Sequence, residues 1–119
     1  MAKLESDRTV TLSVSTVGEA RSRALEALGG REVGQRITFT SPELLWRVLT
    51  VKRLEILRAM AGKGAMSIRE AARSTGRDVK AVHKDIHALL AAGIVDRTEE
   101  GAVEFPYDAV HVDFRLEAA

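Results

Sequence analysis

The chain is predicted to be an α+β domain on three observations. A capped helix, a glycine-bearing break and a second amphipathic helix run from residue 67 to residue 93. Residues 94–105 then alternate around a polar tip, as a hairpin does. Near both ends, at 10–14 and 110–116, β-branched and polar residues alternate with the period of two that marks a half-buried strand.

In chain order, residues 1–7 are small and charged and are expected to fray. From Arg8 the chain alternates, with Val10, Leu12 and Val14 on one face and Thr9, Thr11 and Ser13 on the other. Thr16 and Glu19 form a capping box, in which each side chain satisfies a backbone donor at a helix start. Val17, Ala20, Ala24, Leu25 and Leu28 give that helix an apolar side, and Gly29-Gly30 ends it. Gly34 marks a turn, and Ile37 and Phe39 alternate with Thr38 and Thr40 in a second strand. This β-α-β extension, residues 1–40, either enlarges the core or builds a dimer interface. The dimer role is favoured, because terminal strands leave edges that another copy can pair with.

Ser41-Pro42-Glu43 has a cap, a proline at the first helical position and an early carboxylate, all helix-start signals. Leu44, Leu45, Val48 and Leu49 are assigned to its apolar side. Thr50 re-caps a helix over 51–61 whose inward residues are expected to be Val51, Leu54, Leu57 and Ala61. Trp46 is assigned to core or interface, since single-strand binders present several exposed aromatics and this chain has few. Gly62-Lys63-Gly64 is a plain loop, lacking the glycine-lysine-hydroxyl spacing of a phosphate-binding loop.

Ser67 and Glu70 make the second capping box. Gly76 supplies the left-handed conformation that a tight helix-to-helix turn needs. From Asp78 onward, Val79, Val82, Ile86, Leu89 and Leu90 form one stripe toward a core, and Gly93 stops the helix. That leaves Arg77, Lys80, Ala81, His83 and Lys84 on the exposed side of its first half. A helix-turn-helix has this organisation. A hairpin with its tip at Thr98-Glu99-Glu100-Gly101 follows, in the place of a wing. Pro106 interrupts the second strand, Tyr107-Asp108 turns the chain, and Val110, Val112, Phe114 and Leu116 make a last strand. That strand pairs with residues 10–14 within the subunit or across a dimer, a choice left open.

The segment Leu89-Leu90-Ala91-Ala92-Gly93-Ile94-Val95 resembles the end of the second helix in winged helix-turn-helix regulators, and the resemblance covers residues 41–108. Two runs, 77–85 and Phe105-Pro106-Tyr107-Asp108, are most similar to small prokaryotic regulators of the TumA antitoxin type. The resemblance implies a winged helix-turn-helix over 41–108, to which the residue patterns add the N-terminal β-α-β extension and a C-terminal strand and tail over 109–119, an α+β whole. It implies double-stranded DNA as ligand, a homodimer, repression of the protein's own operon, and a cognate toxin bound away from the reading helix.

Charge patterning supports a DNA ligand. Net charge is only +1, but residues 1–40 hold six basic and five acidic side chains, 41–92 ten and five, and 93–119 two and seven. The basic excess coincides with the paired helices, and the acidic excess with the hairpin and tail. Cysteine is absent, which excludes disulfides and thiolate chemistry. No apolar run has the length of a membrane span and no signal core is present, so the protein is expected in the cytoplasm and away from membranes.

The reading set is Arg77, Lys80, Ala81, His83 and Lys84, since Lys and Arg donate to guanine O6 and N7 and alanine admits a thymine methyl. Arg69, Arg73, Lys52 and Arg53 are candidates for backbone phosphate, each steepening the log–log salt slope by about 0.9. Against this, Arg53 and Arg69 also have Asp85 and Glu70 as possible surface partners. Only Arg97 lies near the hairpin tip, where Glu99-Glu100 repels phosphate, so the hairpin either stays clear of DNA with Arg97 alone reaching in, or serves a protein partner. His83 and His87 have metal-pair spacing, but the glutamate of a zincin motif is missing and a third ligand is not evident. No metal, cofactor or catalytic group is expected. The competing reading is an interaction adaptor that keeps the scaffold and does not touch DNA.

Overall fold

The computed structural model describes residues 8–15 and 35–115. The helix expected from Thr16, the frayed start, the turn at Gly34 and the last strand's end at Leu116 lie outside the described residues. The described elements are β1 (Thr9–Val14), β2 (Gln35–Phe39), α1 (Pro42–Val48), α2 (Val51–Met60), α3 (Ile68–Thr75), α4 (Val79–Ala91), β3 (Asp96–Arg97), β4 (Val103–Glu104) and β5 (Ala109–Asp113). The architecture is α+β.

β1 is the centre of a parallel sheet of order β2-β1-β5. Leu12 lies between Ile37 and Val112, and Val10 between Gln35 and Val110, so one face of the sheet is largely apolar and turns toward the helices. The opposite face carries Thr11 between Arg36 and His111, and Ser13 between Thr38 and Asp113. The last strand therefore pairs with β1 inside the subunit. Its start is pinned by Asp108, whose carboxylate accepts from the Arg8 amide at 3.0 Å and whose own amide donates to the Arg8 carbonyl at 2.7 Å.

Val10 and Leu12 enter one core with Leu45 and Leu49 of the α1 region, Ile56, Leu57 and Met60 of α2, Ala71 and Ala72 of α3, and Val82, Ile86 and Leu89 of α4. Ile94, Val95, Val103 and Phe105 complete it. Burying these side chains, at about 25 cal/mol per Å² of apolar surface, is what joins the sheet to the helices.

Four apolar assignments change, at Leu44, Val51, Leu54 and Val79, and Trp46 loses the core half of its core-or-interface assignment. On α2 the inward face is Ile56, Leu57 and Met60, while Val51 is 71% and Leu54 40% exposed. Both faces have helical three-and-four spacing, so periodicity alone cannot choose between them. The observed rotation buries Ile56, Leu57 and Met60 and at the same time turns Arg53 toward partners on α1 and α4. Trp46 is 48% exposed and so is not core; its ring meets Phe114 edge-on at a centroid distance of 5.8 Å. Leu44 and Val79 also lie on the surface.

Candidate nucleic-acid interface

The candidate surface is built on two helix starts and one glycine. At α3 the Ser67 hydroxyl accepts from the Glu70 amide at 3.0 Å, and the Glu70 carboxylate accepts from the Ser67 amide at 2.8 Å. The expected capping box is therefore formed. α3 ends at Gly76 with φ +68°, and the Arg77 amide donates back to the Ala72 carbonyl at 3.0 Å. Left-handed backbone is costly for residues with a Cβ, which is why glycine stands here. Asp78 then caps α4, accepting from the amides of Lys80 at 3.0 Å and Ala81 at 3.2 Å. With Val82, Ile86 and Leu89 buried, Lys80, His83, Lys84 and His87 fall on the exposed side.

One carboxylate locks this arrangement. Asp85 on α4 accepts from Arg53 Nε at 3.0 Å through one oxygen and meets Arg77 Nη2 at 3.0 Å through the other. The side chains are 15%, 14% and 15% exposed for Arg53, Asp85 and Arg77. Arg53 Nη1 also donates to the carbonyls of Arg47 at 3.2 Å and Val48 at 3.0 Å, at the C-terminal end of α1. Thus Arg53 ties α1, α2 and α4 together, and Arg77 fixes the turn before α4 to the middle of that helix.

Two expected DNA contacts change character as a result. Arg77, assigned to base reading, and Arg53, assigned to phosphate, are mostly buried in a shared ion pair, and neither is a freely extended surface cation. Arg77 Nη1 is buried without a hydrogen-bond partner. The pairing of Arg53 with Asp85 was visible as an alternative in the sequence; the participation of Arg77 was not, because residues 77 and 85 meet only across two turns of α4.

A groove of about 550 Å³ runs between the start of α2 and the exposed side of α4, lined by Thr50, Val51, Lys52, Arg53, Arg77, Ala81, Lys84 and Asp85. It brings together five of the sequence-predicted residues: Lys52, Arg53, Arg77, Ala81 and Lys84. Lys80 and His83 are exposed on α4 outside that lining. Arg69 and Arg73 are exposed on α3 and do not line the groove. Val51 is a groove residue that periodicity had assigned to the core.

The hairpin is short. Asp96 pairs with Glu104 and Arg97 with Val103, and the Thr98 amide donates to Ala102 at 2.9 Å across the tip. Met66 adds a bridge to Val103, with reciprocal bonds of 2.9 and 2.8 Å, which attaches the hairpin to the loop before α3. Arg97 Nη1 donates to the Gly101 carbonyl at 3.3 Å, folding the expected DNA-contacting arginine back along its own hairpin. Glu99 and Glu100 are exposed at the tip.

The His83 and His87 rings lie 4.2 Å apart, tilted by 33°. Among the described residues no group of three or more His, Cys, Asp or Glu side chains is placed to hold a metal ion. No helix among them is long and apolar enough to cross a membrane.

No curated protein and no solved structure matches the chain. The sequence model of the HVO_A0114 family matches residues 48–112, from the end of α1 through the groove, the paired helices and the hairpin to β5. That span is more than half of the sequence and contains the Arg53–Asp85–Arg77 lock, so the chain belongs to the HVO_A0114 family.

Proposed function

We propose that this chain is a cytoplasmic, homodimeric winged helix-turn-helix regulator that binds a short palindrome in double-stranded DNA and represses its own operon. In this reading α3 and α4 are the helix-turn-helix, β3 and β4 the wing, and α4 lies in the major groove. The observation that carries it is the solvent-facing group Lys80, His83 and Lys84 on the first half of α4, held behind a three-residue turn by two caps and a buried ion-pair lock. Such a helix presents donors at a fixed angle, as base reading requires. Lys52 at the groove rim, with Arg69 and Arg73 on α3, supplies phosphate contacts. The antitoxin role belongs to the same proposal: a basic toxin docks on the acidic hairpin and tail, and its binding strengthens repression.

The test is fluorescence anisotropy with labelled DNA from upstream of the gene against a shuffled duplex, over a range of salt. Preferential binding at near-physiological salt is expected, with Lys80→Ala/Lys84→Ala abolishing the preference, while Arg69→Ala/Arg73→Ala weakens binding to both duplexes and flattens the log–log salt slope by about 1.8. Equal, weak binding to both duplexes sinks the proposal. A second reading, the adaptor that does not touch DNA, is favoured by one feature, the exposed Glu99-Glu100 tip where a wing that touches DNA needs a cation. Under it the same double variant keeps partner binding intact.

A further inference from the structure

The outer edge of β5 faces no other strand among the described residues. An edge strand offers a row of unpaired amides and carbonyls, which proteins ordinarily cover or charge. Here the flank is apolar. Val110, Val112 and Phe114 are only half-buried on the helix-facing side, and half-exposed Trp46 rests against Phe114. Beside Val110 a groove of about 430 Å³ is lined by Leu54, Leu57, Ala61 and Phe105, with Arg58 and Asp108 as its charged members. The apolar face of the sheet thus continues past its last strand, and exposed Leu54 lines what lies beyond.

We propose that a second copy of this chain pairs its β5 antiparallel to this one, centred on Val112, making a continuous sheet across a two-fold axis. This rests on the homodimer in the proposed function and specifies where it forms. The strand's own residues select both partner and register. In an antiparallel pair, directly opposed residues are either both hydrogen-bonded or both not, so two-fold pairing always sets one residue against its own copy. Centring on Asp113 opposes two carboxylates. Centring on His111 opposes two imidazoles and sets Asp113 against Ala109. Centring on Val110 sets Asp108 against Val112. Only Val112 as centre opposes each His111 to Asp113 of the second copy on the polar face. On the apolar face it puts Val110 against Phe114 of the second copy, beside the Leu54 groove. The strand is complementary to itself in hydrogen bonding, an imidazole N–H facing a carboxylate, and in apolar contact at one register.

The absence of cysteine makes this directly testable. Opposed residues have Cα atoms about 4.5–5.5 Å apart, within the range a disulfide spans. Sedimentation of the full chain should show a dimer, and Val112→Cys should oxidise to a covalent dimer. His111→Cys and Asp113→Cys should each cross-link roughly tenfold more slowly alone, yet form a mixed dimer when combined, because residue 111 faces 113. Independently, His111→Asp should weaken the dimer roughly three- to tenfold by opposing carboxylates, and adding Asp113→Asn, which removes that repulsion without setting a cation beside Arg36 3.9 Å away, should restore it. The charge variants test the register even if the cysteine variant folds poorly. A monomer overturns the inference and the homodimer together. A dimer with no Val112→Cys cross-link and no charge rescue places the interface elsewhere and leaves the homodimer standing. Loss of DNA preference with the cross-link intact removes the function and keeps this interface.

Discussion

Asp85 is the residue on which the candidate surface turns. Its carboxylate is the shared partner of Arg53 and Arg77, two cations each mostly withdrawn from water. Removing one member of a buried ionic group leaves uncompensated charge, which costs more than the intact group contributes. Asp85→Ala should therefore lose on the order of 2–4 kcal/mol in urea denaturation. Adding Arg77→Met should recover part of that loss, since Arg77 Nη1 already lacks a partner and an apolar side chain carries no desolvation penalty. If the double variant is less stable than the single one, the lock is not acting as a shared charge. The same geometry explains why basic residues in the sequence are not equivalent: Lys80 and Lys84 remain available, whereas Arg53 and Arg77 hold the frame.

Among the elements, α2 shows how tertiary contact overrides a plausible local pattern. Residues 51, 54, 57 and 61 and residues 53, 56, 57 and 60 both follow helical spacing, yet only the second set places Arg53 toward Asp85 and the α1 carbonyls. A clear contrast follows. Ile56→Ala should cost about 2–4 kcal/mol as a cavity in a fully buried site, while Val51→Ser should stay within about 0.5 kcal/mol, as surface changes do. Equal losses at the two positions in thermal or denaturant melts contradict the observed rotation of the helix. Around α3 and α4 local signals sufficed: Ser67, Glu70, Gly76 and Asp78 each perform the capping or turning role their chemistry specifies.

For the whole molecule the relevant quantity is the separation of charge. The basic excess of residues 41–92 surrounds the groove and α4, and the acidic excess of 93–119 follows on the hairpin and β5. With Arg97 bonded to its own hairpin tip, that end has little cationic reach. In the proposed regulator the wing stays clear of DNA, so Glu99→Lys/Glu100→Lys should leave the salt slope of specific DNA binding unchanged and weaken capture of a basic partner protein. A slope steeper by about 1.8 for the double variant, near 0.9 per new phosphate contact, means instead that the tip lies against the backbone.

Among the described residues the sequence by itself determined the caps, the Gly76 turn, the order of the elements, the hairpin and the apolar face of β1. These depend on side chains acting within a few residues of one another, where hydrogen-bond reach and alternation are set by backbone geometry. Tertiary structure alone decided which side of α2 is buried, that β5 pairs parallel to β1 within the subunit, that Trp46 stays at the surface, and that Asp85 claims both Arg53 and Arg77. Each of these is a competition between partners distant in sequence, and only packing in three dimensions fixes which partner is within reach.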